Sequence, residues 1–439
     1  MADVVVVGAG IIGAACAEAL SAAGVNVLVI DRGAPASGTT AAGEGNILLS
    51  DKEPGPELDL AIASRREWPA VLARLPEKVA DVEWEPKGGL VVATAAPEPL
   101  AALAAEQRSA GVDAQVITPA DAFELEPLLT RAVTTAVYYP EDAQLQPVLA
   151  ATALLAAVRA RGGEVRAGVT ALSVRRSAGG HVIGLETDAG VIPCEAVVNA
   201  CGPWAGEFGA AAGGPIEVLP RRGMILVTAP LPECIRHKVY DADYVGAVGS
   251  GEADLQTSTV VESTRAGTVL IGSSRERIGF DDTLKIHVLR ELARKALLIF
   301  PFLGDVPVMR AYGGFRPYAP DHLPIIGPDP RIPGLWHATG HEGAGIGLAP
   351  ATARLLTELF LGKAPHVDPT PFRVDRPAVT TITETGVGGA EDGGAAPESG
   401  SKDGGVVSES GAGRRGAVSE GAAGLGGRGR SPGVAGGGL

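Results

Sequence analysis

Gly8, Gly10 and Gly13 stand in a G-x-G-x-x-G, and Asp31 follows the next apolar run. Together these residue types can hold a dinucleotide. Gly8 permits a tight turn, Gly10 lets the backbone approach a pyrophosphate, and Gly13 lets a helix pack closely on the strand before it. Ile11 and Ile12 open that helix, whose free N–H groups and positive dipole end would face the phosphates. Asp31 is placed to accept from a ribose hydroxyl. Arg32 beside it would suit a 2′-phosphate, but the neighbouring carboxylate would repel one. Two strands must carry these groups. Ala2 to Val7 is an apolar, β-branched run suited to a central parallel strand, and Val25 to Ile30 predicts the second. The pattern leaves open whether the dinucleotide is FAD or a nicotinamide cofactor.

A chain of 439 residues is long for one core, so two domains are expected. The 46% hydrophobic fraction suits a globular enzyme. A formal net charge of −14 excludes a nucleic-acid partner, which would need a basic surface. Cys16, Cys194, Cys201 and Cys234 show no C-x-x-C spacing, so no metal site, iron–sulfur cluster or disulfide framework is expected. A reduced, cytoplasmic setting fits that usage. The apolar stretch Pro147 to Val158 is too short to span a membrane, and no transmembrane or targeting segment is expected.

Leu149 to Arg161 has helical periodicity and stops at Gly162-Gly163. Strands are predicted from Glu164 and over Val169 to Val174, followed by a hairpin through GGHVIGLETDAGVIPC and a buried strand at Ala196 to Ala200. MILVTAP, ADYVGAV and TVLIGSS read as β, and Leu284 to Leu298 as helix. These discontinuous signals predict an α/β protein: a Rossmann-like cofactor domain over 1–84, 143–216 and 311–375, with a largely antiparallel substrate domain inserted over 85–142 and 217–310. After Phe372 there is no aromatic residue, and 376–439 is expected to be a disordered low-complexity tail.

Six motifs occur in one order: GAGIIG at Gly8 to Gly13, SGTTAAGEGNI at Ser37 to Ile47, VVNACGPWA at Val197 to Ala205, PRRGM at Pro220 to Met224, GGFRPYAPDHLPIIG at Gly313 to Gly327, and GHEGAGIGLAP at Gly340 to Pro350. Through them the chain resembles the FAD-dependent amine oxidoreductases of the D-amino acid oxidase superfamily. That group includes glycine oxidase, sarcosine oxidase beta subunits, and the catalytic subunits of hydrogen cyanide synthase and hydroxyproline dehydrogenase. The resemblance runs from Met1 to about Arg376.

The resemblance implies non-covalent FAD and a small amino or imino acid as substrate: D-hydroxyproline, D-proline, glycine, sarcosine or another D-amino acid. Hydride would pass from Cα–H to flavin, leaving an imine. Orientation and water exclusion suffice for this, with no nucleophile or metal. The resemblance implies that Thr39 and Thr40 cradle phosphate or ribityl oxygens and that Gly45 and Asn46 pass beside the flavin. It implies that Val169 contacts adenine through its backbone and that Gly202 and Gly314 bring backbone close to the cofactor. Gly343, Gly345, Ile346 and Gly347 match the loop and helix start facing the flavin pyrimidine, where N–H groups stabilise charge on reduction. Arg316 matches the substrate-carboxylate arginine, a role suited to its planar fork. Arg222 and Arg310 are lesser candidates. Tyr244, with Tyr240 near it, falls on the family's mobile active-site loop. His341 reads as structural, and Trp204 as packing.

Two departures bear on the substrate: Met224 stands where related chains often carry a polar residue, and Glu44 places a carboxylate in the loop nearest the flavin. Electrons would leave to oxygen, a quinone or companion electron-transfer subunits. The alternatives are a non-catalytic flavin-bearing subunit of a heteromeric dehydrogenase and an NAD(P)-dependent dehydrogenase.

Overall fold

The computed structural model describes residues 2–95, 98–242, 246 and 249–380. Two eight-stranded sheets organise these residues. The first runs β17 (Ile325–Pro328), β18 (Leu335–Thr339), β11 (Gly190–Asn199), β1 (Ala2–Val7), β2 (Val27–Asp31) and β8 (Glu164–Ala167). Its pairs from β18 to β8 are parallel, and β17 joins antiparallel at the edge. An antiparallel extension, β9 (Ala171–Arg176) and β10 (Val182–Thr187), leans on the long β11. The continuous valine run of β1 suits a strand covered on both faces. Val4 and Val6 pack under helix α1 (Ile11–Ala22), while Val5 and Val7 meet Leu28, Ile30, Leu185 and Phe208 on the other side.

The second sheet runs β16 (Val308–Tyr318), β12 (Leu219–Thr228), β15 (Val269–Arg275), β14 (Gln256–Ser263), β13 (Lys238–Asp241), β4 (Gly89–Ala93), β6 (Thr135–Tyr139) and β5 (Gln115–Ile117). Every pair is antiparallel except β13 with β4. Helix Ile286–Ile299 turns Val288, Leu292, Ala296 and Ile299 onto one face, at the spacing of a helical stripe. A two-strand link, β3 (Asn46–Ile47) with β7 (Ala143–Gln144), completes the set.

Several boundaries differ from the sequence-based expectation. Val169 lies before its strand, which starts at Ala171, because its N–H caps the end of β2 by donating to the Asp31 carbonyl at 3.0 Å. Of ADYVGAV, expected as β, Ala242 is in a turn after β13, and 243–245 and 247–248 lie outside the described residues. The expected tail begins later than 376. Pro377–Thr380 forms a short helix because Val379 is fully buried and its carbonyl accepts from Glu217 N–H at 2.8 Å. The rest of that stretch, from 381, lies outside the described residues. Among the described residues no helix is long and apolar enough to cross a membrane, and no cluster of three or more His, Cys, Asp or Glu could hold a metal.

Candidate functional site

A cavity of about 570 Å³ opens where the C-terminal ends of β1, β2, β11 and β18 meet the face of β12 and β16. Open α/β sheets bind ligands at such strand ends. The cavity gathers Gly8, Gly10, Ile11, Ile12, Asp31, Arg32, Thr39, Thr40, Asn46, Val169, Gly202, Gly314, Arg316, Gly343, Gly345 and Ile346. Gly13, Gly45 and Gly347 do not line it. A Cβ on Gly13 would run into the Gly8 carbonyl, and one on Gly45 into the Leu145 carbonyl, so both serve close backbone approach behind the wall. Gly347 packs over Ile47 and Leu48. Tyr244 lies outside the described residues.

Gly8 adopts φ +110°, and a Cβ there would meet the Ala200 carbonyl carbon at 2.8 Å, which ties the first turn to the end of β11. Helix α1 has no side-chain cap of its own at Gly10. Thr40 supplies one from another loop: its Oγ1 accepts from Ile11 N–H at 3.0 Å and retains a proton to donate. The Asp31 carboxylate accepts from Ala9 N–H at 2.7 Å and Gly33 N–H at 2.8 Å. A carboxylate has about four lone-pair sites, so these bonds orient it and leave capacity for a ribose hydroxyl. Thr39 also lines the cavity. Its hydroxyl donates to the Phe315 carbonyl at 2.6 Å, which fixes the loop to β16 and leaves only acceptor capacity towards a ligand. Arg32 stacks on Trp204 with 4.2 Å to the ring centroid, and Trp204 stacks on Phe280.

At the other end, helix Gly345–Phe360 begins at Ala344, which offers no capping side chain. Its first i→i−4 bond is Leu348 N–H to Ala344 at 3.0 Å, so the N–H groups of Gly345, Ile346 and Gly347 precede the ladder. His341 beside it is buried, with Nε2 held by the Thr352 hydroxyl at 2.9 Å. Burial pushes its pKa down to about 3, so the imidazole is neutral at ordinary pH, as the structural role requires.

Arg316 projects from β16 into the cavity and donates from Nη1 to the Ser274 carbonyl at 2.8 Å. Gly223 on β12 leaves room for it: a Cβ there would come 2.7 Å from Cζ. The other arginines are occupied elsewhere. Arg222 is buried, donates to the Asp282 carbonyl at 2.7 Å and lies over Phe315. Arg310 lies over Tyr312. Arg221 is buried against Glu342, Ser250 and Gln256. Tyr240 is fully buried and donates to Asp142 at 3.1 Å, which makes it a core residue rather than a substrate contact. Glu44 reaches the cavity wall, a position its loop motif suggested. Phe315, Gly223 and Glu342 also line the cavity and were not singled out from the sequence. Of these, Gly223 sits within PRRGM, and its lack of a side chain was the available signal.

The cavity suits FAD on its own chemistry. Glycines at Gly8 and Gly10 line it, two helix N-termini open onto it, and lining residues carry buried polar atoms without partners among the described residues: His341 Nδ1, Asn46 Oδ1 and Glu44 Oε1. Buried polar atoms in native proteins almost always have partners, so these fit a polar group in the cavity.

This is the architecture of a dinucleotide-binding α/β oxidoreductase whose second sheet closes over the cofactor cavity. A family model described as FAD dependent oxidoreductase (DAO) matches residues 3–359. The chain belongs to that family and is an FAD-dependent oxidoreductase, as the six motifs implied. It is 29% identical to glycine oxidase of Geobacillus kaustophilus over 381 residues, covering 85% of this chain and 97% of that protein. It is 32% identical to hydrogen cyanide synthase subunit HcnC of Pseudomonas aeruginosa over 254 residues, 57% of each. The solved structure of the Geobacillus kaustophilus glycine oxidase matches with a TM-score of 0.78 at 28% identity, over 85% of this chain and 98% of that one. The L-proline dehydrogenase of P. horikoshii shares the fold, with a TM-score of 0.76 at 24% identity over 85% and 96% of the two chains.

Proposed function

We propose that this enzyme oxidises the C–N bond of a small amino or imino acid to the imine, with Arg316 holding the substrate carboxylate. The observation that carries the proposal is the Arg316 guanidinium in the same cavity as the Gly8 turn and the Gly345 helix start. Relatives named as glycine oxidase support the substrate class. Bound FAD supplies the acceptor for the hydride that leaves the substrate Cα. Within the chain, Ile12 N–H, together with the Thr40 hydroxyl, would hold the pyrophosphate, Asp31 a ribose, and the Val169 backbone the adenine. The N–H groups of Gly345, Ile346 and Gly347 would stabilise the negative charge that arises on reduction. Arg316, braced by Ser274, orients the substrate, and the Gly43–Asn46 loop bounds its other side. His341 is neutral and takes no proton in this scheme.

We hold the FAD to be non-covalent. Cys201, on the cavity wall, has its thiol pushed up to about 12 by burial, and the thiol points to the Val7 carbonyl at 3.6 Å. We assign 1–84, 143–216 and 311–375 to the cofactor domain and 85–142 and 217–310 to the substrate domain, a division that cuts through β16, a strand of the second sheet. Tyr244 remains assigned to the substrate side through its motif alone. A second reading, a flavin-bearing subunit that works with companion electron-transfer chains, is favoured by the similarity to HcnC, itself named a subunit.

Visible spectra of the anaerobic protein before and after adding glycine, sarcosine, D-proline and cis- and trans-D-hydroxyproline test the proposal. Bleaching of the flavin bands by one of them is the expected result. A flavin spectrum that no member of the series bleaches would overturn it and favour the subunit reading.

A further inference from the structure

Glu44 is out of place as a structural carboxylate. It is only 9% exposed and lines the same cavity as Arg316. Its Oε2 has one long contact, from Asn46 Nδ2 at 3.4 Å, and its Oε1 has no partner among the described residues. The fold makes room for it. Gly272 on β15 is bare where the carboxylate lies, and a Cβ there would come 3.2 Å from Glu44 Cδ. A buried carboxylate with an open oxygen is costly unless a cation or donor completes it.

The nearby cation does not do so. Lys238 lies close enough to Glu44 for their charges to interact, yet it is fully buried in an ion pair with Glu262, itself fully buried. Lys238 is thus shared among several carboxylates, Glu262 and Glu44 among them, and makes no hydrogen bond to Glu44 Oε1. Strand β15 also relates Glu44 to Arg316. Gly272 abuts Glu44, and Ser274, two residues on, accepts from Arg316. Both side chains line the one cavity, so a cation receptor and a carboxylate receptor share it.

We propose that Glu44 receives the substrate's ammonium group on binding while Arg316 receives the carboxylate, so that the site selects zwitterionic amino and imino acids over hydroxy- or ether-acids of the same shape. The inference rests on the carboxylate role given to Arg316 above. Glu44 supplies a charge-assisted hydrogen bond that an ether or hydroxyl oxygen cannot match, because that oxygen carries no positive charge. Discrimination by a buried charged partner is strong, since the wrong ligand leaves the carboxylate uncompensated.

The test uses the FAD-loaded enzyme and matched pairs of probes: proline with tetrahydrofuran-2-carboxylate, and sarcosine with methoxyacetate. Amino acids are scored by anaerobic flavin reduction and ether-acids by perturbation of the flavin spectrum. In Glu44→Gln the concentration of amino acid giving half-maximal reduction should rise roughly 10–100-fold. Ether-acid binding should be unchanged or several-fold tighter. Glu44→Asp keeps the charge and should retain the amino-acid preference at weaker binding, and flavin content checks that each variant is folded. Equal weakening of both members of each pair, or no change in either, would overturn the role of Glu44 alone. Wild-type enzyme that is reduced by none of the amino acids and bound by none of the ether-acids would overturn the parent proposal instead, and this one with it.

Discussion

Arg316 reaches diagonally across from β16 to Gly223 on β12, and the arginine occupies the space a side chain on Gly223 would fill: a Cβ there would fall 2.7 Å from the guanidinium carbon. The site's cation is therefore positioned by an absence on β12 as much as by its hydrogen bond to Ser274 on β15. Three strands, β16, β12 and β15, hold one guanidinium.

Gly223→Ala should displace Arg316 without touching the dinucleotide end. The expected outcome is a fall in kcat/KM of roughly 10–100-fold, since small misplacements of an orienting group cost about that much. Flavin content should be unchanged. Steady-state kinetics alongside the flavin absorbance ratio checks this, and a full loss of FAD would contradict it.

Arg316→Ala should lose most activity, with kcat/KM down by roughly 10²–10⁴ for the loss of a bidentate, charge-assisted contact. Arg316→Lys should recover only part, because an ammonium cannot form two parallel bonds to a carboxylate. Unchanged kcat/KM in Arg316→Ala would remove this residue from the substrate site.

Thr40→Ala leaves Ile11 N–H at the start of α1 without its acceptor. Loss of a capping oxygen costs about 1–2 kcal/mol. A lower thermal midpoint and faster release of FAD on dilution should appear together, measured by scanning calorimetry and flavin fluorescence. If the midpoint falls while FAD retention is unaffected, Thr40 is only a cap.

Asp142 links the two halves of the fold below the cavity. It is fully buried, accepting from Leu49 N–H at 2.8 Å, from Ser50 and from Tyr240. Burial raises its pKa from 3.8 to about 6. The folded state therefore holds the proton more tightly than the unfolded chain does. The stability this contributes is present below pH 3.8 and is lost as pH rises through 6. Asp142→Asn removes this dependence. Between pH 5 and pH 8 the stability of wild type relative to Asp142→Asn should fall, by on the order of 1 kcal/mol. Denaturant unfolding at the two pH values checks the sign.

The first turn, the first helix and the two strands around them were legible in the residues because their constraints are local. Gly8 needs its positive φ, Gly13 must let α1 touch the Gly8 carbonyl, and the valine run of β1 shows its burial on both faces. The start of helix Gly345–Phe360 and the position of Arg316 were legible through their motifs. Thr39 and Tyr240 were less so: one hydroxyl bonds to Phe315 and the other to Asp142, and neither partner can be inferred from its neighbours in sequence.

The sequence by itself determined a dinucleotide turn, an acid after the second strand, an FAD-type motif set and an arginine suited to a carboxylate. Each depends on steric or hydrogen-bonding rules that act within a few residues or on a motif read in order. Only the tertiary structure decided that Thr40 caps a helix begun in another loop and that Gly223 makes the space for Arg316. It alone put Glu44 on the cavity wall with a buried oxygen that lacks a partner among the described residues. Those outcomes join residues far apart in the chain, and burial and charge balance arise only when the sheets have come together.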